Sequence, residues 1–299
     1  MDATDLRRWR LKVCEGRQTW HYLRTDAEVA AWPQTTADKH HLDLLEHSTA
    51  SGTDRTAIDA VRHAFAFAQS TLTADGHWAG DYGGPLFLMP GWVISCYVTG
   101  AMGSLTAEMR LEMKRYLFNQ VKAQGGWGLH IEGKETMFGT ALNYVVLRLL
   151  GVPADEPRMV QARAWVHSHG GATYIPAWGK FWLAVLNVYA WEGMNPLSPE
   201  TWVLPYALPI HPGRYWCHCR QVYLPMSYIY GARIAAPATD PLVTALRQEL
   251  YPEPYEAIDW PAARNKCAEP DNYCPHTLLC NALFGTHYVE YNLLNINNT

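Results

Sequence analysis

The sequence predicts an all-α fold in which pairs of helices stack side by side. Apolar residues recur at the three- and four-residue spacing of amphipathic helices along most of the chain, and no alternating pattern typical of strands competes with it. Glycine turns also recur, since Gly76, Gly125 and Gly170 are 49 and 45 residues apart. Each turn follows a predicted helix and precedes an apolar one. A helix pair that cannot bury its face alone needs a neighbour, so this period predicts an open solenoid or, with more curvature, a closed α-α barrel.

The first 55 residues differ in character from the rest of the chain. They are polar and mixed, with Trp9, Trp20 and Tyr22 as aromatic anchors. We interpret residues 1 to 55 as an N-terminal arm that lies against a larger body, and residues 56 to 299 as the barrel domain. The N-terminal residues contain no apolar core of a secretory signal, so we expect the protein on the cytosolic side of membranes.

The barrel domain begins with a helix predicted over residues 57 to 70. One apolar face collects the residues at helical spacing, Val61, Ala64, Phe65 and Ala68. Residues 82 to 107 contain no charge over 26 positions, which is long enough to cross a bilayer. We favour a buried helix that is broken by Pro90 and Gly91 over a membrane span.

Start and stop signals define the later helices. Gly151 and Pro153 end one helix, and Asp240 followed by Pro241 begins another as cap and first residue. The predicted helices cover residues 106 to 122, 136 to 150, 157 to 168, 176 to 191 and 240 to 250.

Residues 216 to 230 predict a helix that could form a cavity wall. One apolar and aromatic face collects Cys219, Val222, Tyr223, Met226 and Tyr230. A histidine that we expect to be buried, His218, lies beside this face, and Pro225 is expected to bend the helix. The alternative from these residues alone is a core helix that carries a hydrogen-bonded histidine.

Composition excludes several classes of protein. An apolar fraction of 48% and a charged fraction of 17% fit a folded protein, and a net charge of −4 offers little to nucleic acid. The 13 tryptophans and 17 tyrosines suit apolar cavities and membrane interfaces. The seven cysteines do not form a disulfide framework and are expected as free thiols: Cys14, Cys96, Cys217, Cys219, Cys267, Cys274 and Cys280. Cys217, His218 and Cys219 are adjacent and point apart on a helix, so we expect no metal site.

Four long runs of sequence resemble the oxidosqualene cyclases, and among them the lanosterol-forming enzymes. They are DGHWAGDYGGPLFLMPG (75 to 91), GGWGLHIEGKETMFGTALNYVVLRLLG (125 to 151), AWGKFWLAVLNVYAWEG (177 to 193) and WCHCRQVYLPMSYIYGAR (216 to 233). The resemblance begins near Ala3 and continues to about Leu279. Matches of this length and composition are far more specific than a short motif.

The resemblance implies a fold of two α-α barrels with an apolar cavity between them. It also implies a monotopic enzyme on the endoplasmic reticulum membrane and lipid droplets. Such isomerases need no cofactor. An aspartic acid protonates the epoxide of 2,3-oxidosqualene, which then cyclises through carbocations to a sterol skeleton. Because these cations have no counterion, aromatic faces that exclude water would stabilise them.

The resemblance also assigns roles to individual residues. Tyr82, Trp178 and Trp216 match aromatic residues of the substrate cavity. His218 matches the histidine that orients a tyrosine near the late cation and favours the lanosterol skeleton. Cys219 and Tyr223 match a constriction of the substrate channel.

The departures from the family pattern concern the catalytic acid. The sequence contains neither the D-C-T-A-E motif of the proton donor nor a DxDD motif, so it supplies no matched catalytic residue. We therefore expect the N-terminal part of a cyclase, incomplete as a barrel, inactive alone and with an exposed apolar surface. A separate C-terminal half would be its partner. The sequence also lacks the DDxxD motif of terpene synthases that ionise diphosphates.

A second departure affects the repeats. The family places a glutamine six residues before the turn tryptophan, where this chain has Leu72 and Val121. Gln120 is shifted by one position. We expect a weaker tie between helix end and loop in both repeats.

Two functions of other classes remain. A non-catalytic helical toroid that binds a lipid or a protein would keep the aromatic residues and need no acid. A zinc-dependent prenyltransferase subunit would need a pattern of Asp, Cys and His ligands that the sequence lacks.

Overall fold

Helices dominate the structure, a computed structural model that describes residues 4 to 45, 56 to 80, 83 to 208 and 211 to 273. The predicted all-α class is confirmed, with one small antiparallel sheet as an addition. Contacts within the chain divide it into two units, Met1–Tyr82 and Gly83–Thr299. The sequence-based division at residue 55 stays a prediction.

The described part of the first unit contains a two-stranded sheet and three α-helices. They are β1 (Trp9–Cys14), β2 (Arg17–Tyr22), α1 (Asp26–Ala31), α2 (Thr36–His41) and α3 (Ala57–Ser70). The helix predicted over residues 57 to 70 is confirmed, and Thr56 caps it. Its apolar face is not buried, because Val61 and Phe65 are 62% and 71% exposed.

The expectation that no strand is present was wrong for β1 and β2. Trp9, Leu11 and Val13 alternate with Arg10 and Lys12, which is a strand pattern over five residues. A two-residue turn closes the hairpin, with Glu15 at φ +48° and Gly16 at φ +78°. Basic residues at the alternate positions made this segment resemble an irregular polar arm.

The second unit contains eight helices among the described residues. They are α4 (Leu88–Val98), α5 (Ala107–Asn119), α6 (Met137–Leu149), α7 (Pro157–Ser168), α8 (Ala177–Val185), α9 (Cys217–Gly231), α10 (Pro241–Glu249) and α11 (Trp260–Ala263). Helix α6 is central, because α4, α5, α7, α8 and α10 all contact it. Nearly every side chain of α6 is buried.

Helix α4 confirms a buried helix within the uncharged segment. Pro90 does not break it as expected, because it is the third helical residue, where the missing N–H would have no partner within the helix. Among the described residues, we find no helix that is both long and apolar enough to cross a membrane.

Helix α8 ends earlier than predicted. Asn187 adopts a left-handed conformation with φ +64° directly after the helix. The amides of Asn187 and Val188 donate to the carbonyl oxygens of Ala184 and Leu183 at 2.9 and 2.8 Å, which is a Schellman motif. Asparagine tolerates this conformation, so Asn187 was the local signal that the apolar pattern concealed.

The turns after α3 and α5 make equivalent hydrogen bonds, while the repeat itself stays a prediction. The amide of Thr73 donates to the carbonyl oxygen of His77 at 2.9 Å. The amide of Lys122 donates to the carbonyl oxygen of Gly126 at the same distance. The indoles of Trp78 and Trp127 each donate at 2.7 Å to a carbonyl ten residues earlier, at the end of the preceding helix. The tryptophans therefore tie loop to helix without the family's glutamine.

Because of three buried tyrosines, we expect the free energy of unfolding to fall at high pH. Burial raises the pKa of Tyr144, Tyr189 and Tyr251 above that of a free phenol. When the pKa of a group is higher in the folded state than in the unfolded state, its contribution to stability is complete below the unfolded pKa, about 10 for tyrosine. The contribution is lost as the pH rises above that value, because the unfolded state then releases the proton more readily. We expect each tyrosine to remove up to about 1.4 kcal/mol of unfolding free energy per pH unit above about pH 10. Urea unfolding above about pH 10 measures how the free energy of unfolding falls with pH. The fall should be shallower in Tyr144→Phe. An identical fall in that variant would contradict the raised pKa of Tyr144.

Candidate functional site

A cavity of about 550 Å³ lies beside the N-terminal half of α9. Its walls come from α9 and from the irregular segments before it, and they are mainly aromatic and apolar. The lining includes Leu197, Trp202, Tyr215, Trp216, Cys219, Tyr223 and Ser227. The lining contains no charged side chain. This cavity can hold an apolar molecule.

Hydrogen bonds fix the inner wall of the cavity. The indole of Trp202 donates to the hydroxyl of Ser227 at 3.1 Å, and that hydroxyl donates to the carbonyl of Tyr223 at 2.6 Å. The bond from Trp202 holds the segment that carries this tryptophan against α9. The hydroxyl of Ser227 is itself fixed, because it donates to a carbonyl one turn earlier on the same helix. Ser227 is buried, which strengthens this attachment.

Tyr223 is the centre of an aromatic group. The indole of Trp178, on α8, donates to the hydroxyl of Tyr223 at 3.2 Å, with the ring centroids 6.3 Å apart in edge-to-face geometry. The ring of Tyr215 meets Tyr223 in the same way at 6.4 Å. Such edge contacts turn π faces in different directions, so several negative faces are available around one space.

The structure brings five of the six predicted site residues together. Trp216, Cys219 and Tyr223 line the cavity, and Trp178 contacts Tyr223. His218 contacts the ring of Trp216 with the centroids 4.5 Å apart. Tyr82 lies outside the described residues.

The expectation that His218 is buried was wrong. His218 is exposed, and Trp216 beside it is 67% exposed. Helix α9 buries Met226, Ser227 and Tyr230 in its C-terminal half, while its first turn projects from the unit. Helical spacing identifies which residues share a face but not where along the helix the core ends.

Sequence reasoning missed Trp202, Tyr215 and Ser227. Trp202 and Tyr215 belong to irregular segments, where no periodicity singles out a residue. Ser227 lies on α9, and its pairing with Trp202 joins positions 25 residues apart. Only the abundance of tryptophan gave a general signal for such residues.

Among the residues that the structure describes, no carboxylate lines the cavity. Within the described ranges, no cluster of three His, Cys, Asp or Glu side chains could bind a metal, and the cysteines there are free. Cys274 and Cys280 lie outside these ranges. What the site offers is an apolar volume with aromatic faces.

The family model for the squalene-hopene cyclase N-terminal domain matches residues 43 to 280. The chain belongs to this cyclase family. The resemblance seen in the sequence and the α-α toroid fold that it implied are thereby confirmed. The aromatic cavity beside α9 is therefore a feature of a triterpene cyclase domain.

Curated relatives of this cyclase domain are about half identical to it. Lanosterol synthase of Mus musculus is 51% identical over 285 residues, which cover 95% of this chain and 38% of the relative. Lanosterol synthase of Homo sapiens is 52% identical over 284 residues, 94% of this chain and 38% of that protein. Cycloartenol synthase of Dictyostelium discoideum is 52% identical over 285 residues, which cover 93% of this chain and 39% of that protein. The chain thus spans less than two fifths of these relatives.

Proposed function

We propose that this chain forms part of an oxidosqualene cyclase that converts (S)-2,3-oxidosqualene to lanosterol in sterol biosynthesis. The observation that carries the proposal is the sequence identity of 51% and 52% to lanosterol synthases over almost the whole chain. An uncharged aromatic cavity agrees with it, since cyclisation through carbocations requires water and bases to be kept away.

In this proposal the aromatic residues shape and stabilise the reacting polyene. Trp178, Trp216 and Tyr82 form part of the wall that faces the substrate and the intermediate cations. Cys219 and Tyr223 narrow the channel through which the substrate arrives. His218 favours lanosterol over cycloartenol as the product. Overall identity does not distinguish these two products, because the chain is also 52% identical to a cycloartenol synthase.

The proton that starts cyclisation must come from a residue outside this sequence, which has no D-C-T-A-E motif. We expect the purified chain to form no sterol from oxidosqualene. Lanosterol should appear when a C-terminal cyclase half that carries the motif is added. Gas chromatography with mass spectrometry measures the product.

Two variants of α9 sharpen this complementation. Tyr223→Ala removes a lining residue and should reduce product at least about tenfold, the effect of losing about 1.4 kcal/mol of stabilisation. Gln221→Ala changes an exposed residue of α9 outside the cavity and should have little effect. Sterol formation by the chain alone would overturn the proposed division of labour.

A second candidate is a non-catalytic toroid that binds a lipid. The aromatic and apolar side chains that line the cavity suit such a ligand. Saturable binding of oxidosqualene with no product in the mixture of halves would support this candidate over the cyclase.

We also propose that the chain meets the endoplasmic reticulum membrane and lipid droplets from the cytosolic side, without crossing the bilayer. Large apolar side chains near the cavity are exposed, with Val203 at 84%, Tyr206 at 60%, Trp216 at 67% and Tyr228 at 69%. Aromatic rings of this kind suit an interface. The chain should float with phosphatidylcholine vesicles and be released by alkaline carbonate. A Val203→Ser, Tyr228→Ser variant should float less, and retention after carbonate would contradict a monotopic contact.

A further inference from the structure

A buried lysine of α8 holds a distant segment of the chain. Lys180 is 2% exposed, and its ammonium donates to the carbonyl oxygens of Ala263, Arg264 and Lys266 at 2.7, 2.7 and 2.9 Å. Ala263 is the last residue of α11, and Arg264 and Lys266 follow it in the chain. An ammonium has three N–H donors, so each carbonyl receives one.

The same segment carries an aspartate that caps α6. Asp271 is 5% exposed, and its carboxylate accepts from the amides of Met137 and Phe138 at 2.6 and 3.0 Å. The hydroxyl oxygen of Thr136 accepts a hydrogen bond from the amide of Gly139 at 2.9 Å, so the first three amides of this helix all have acceptors. A negative charge at this end also complements the helix dipole. Burial raises the pKa of Asp271, while the two amide bonds act in the opposite direction.

We call residues 263 to 271 the strap, because both of its ends are fixed. Between Lys180 and Asp271, the amide of Ala268 also donates to the carbonyl of Tyr174 at 2.9 Å, just before α8. Burial lowers the pKa of Lys180 to about 7. Hydrogen bonds from the ammonium to three carbonyl oxygens act in the opposite direction, because they favour the charged form. The strap therefore closes over the beginning of α6 and of α8 together.

One of the two helix ends that the strap joins carries Trp178, whose indole donates to the hydroxyl of the cavity residue Tyr223. Trp178 is two residues before Lys180 on α8. Gly179 lies between them, and a Cβ there would be 3.0 Å from the ring of Phe138 on α6. The start of α8 cannot move without disturbing the start of α6, since they are in van der Waals contact. A displacement of either end would carry the Trp178 indole away from the hydroxyl of Tyr223.

We propose that Lys180 and Asp271 are positioning residues that act through the strap to hold Trp178 against Tyr223. Their importance for cyclisation rests on the proposed function, but the positioning itself does not. Both bind backbone groups, Trp178 reaches the cavity through its contact with Tyr223, and neither Lys180 nor Asp271 lines the cavity.

Nitrogen-15 NMR of the tryptophan indoles tests this in the full chain, with Trp178→Phe to assign the Trp178 signal. Lys180→Met keeps the length of the side chain and removes all three donors, and Lys180→Gln keeps two. We expect the Trp178 signal to move in Lys180→Met, to move less in Lys180→Gln, and to move in the same direction in Asp271→Asn. The amide of Phe138 should exchange with solvent about tenfold faster in Asp271→Asn. The exposed residues Lys134 and Asp155 provide the matched controls, Lys134→Met and Asp155→Asn, which should leave the signal unchanged.

An unmoved Trp178 signal in folded Asp271→Asn or Lys180→Gln would overturn the proposal, whatever Lys180→Met does to folding. Equal movement in the two control variants would overturn it as well. The spectra need no substrate, so a failure of the complementation experiment with these results intact would reject the cyclase function alone.

Discussion

Replacing Trp127 by alanine is expected to lower the free energy of unfolding of the second unit by about 3–5 kcal/mol. The side chain is fully buried beneath the turn after α5, and its indole donates at 2.7 Å to the carbonyl of Leu117. The variant loses the packing of the ring and the indole hydrogen bond, and it leaves a cavity. The carbonyl of Leu117 keeps the amide of Gln120 as a donor. Urea unfolding followed by circular dichroism measures the loss.

The other copy of the repeat provides the control. Trp78 makes the same indole bond at 2.7 Å to the carbonyl of Ala68, but its side chain is 59% exposed. Trp78→Ala should therefore cost the first unit only about 1 kcal/mol, the net contribution of one hydrogen bond. Equal losses in the two variants would mean that the hydrogen bond rather than ring burial stabilises the turn.

Local signals predicted the helices well because helix ends are decided by nearby residues. Thr136 and Asp240 cap the helices that follow them, and Gly151 takes a left-handed conformation with φ +86° after α6. Each of these features depends on a few neighbouring positions. The hairpin of β1 and β2 was missed although its alternation is also local, because charged residues at the alternate positions concealed it.

Long-range partners could not be predicted from one sequence. Lys180 meets carbonyls 83 to 86 residues away, and Asp271 meets amides more than 130 residues away. Neither residue belongs to a motif, and a lysine within an apolar helix pattern gives no sign of what it binds. Such partners become visible only when packing has brought the elements together.

The site was predictable to the extent that a family resemblance supplied it. Trp216, Cys219 and Tyr223 were assigned through matched sequence, and they do line one cavity. Their exposure was not predictable, because burial depends on elements packed against α9 rather than on α9 itself.

Replacing Gly139 by alanine is expected to cost about 3 kcal/mol of unfolding free energy, although alanine is the better helix former. A Cβ at this position of α6 would lie 2.5 Å from the carbonyl oxygens of both Trp127 and Gly128. Both contacts are backbone atoms, so no side-chain rotation relieves them. The turn cannot retreat easily, since the buried Trp127 ring anchors it beneath α5.

Gly103→Ala is the matched control, because a Cβ there meets no atom within 4 Å. It should leave stability unchanged or raise it by up to about 1 kcal/mol through a smaller loss of chain entropy on folding. Urea unfolding compares the two variants with the parent chain. If Gly139→Ala were as stable as Gly103→Ala, the turn after α5 would have to move away from α6, and the close backbone contact would not be what holds the repeat together.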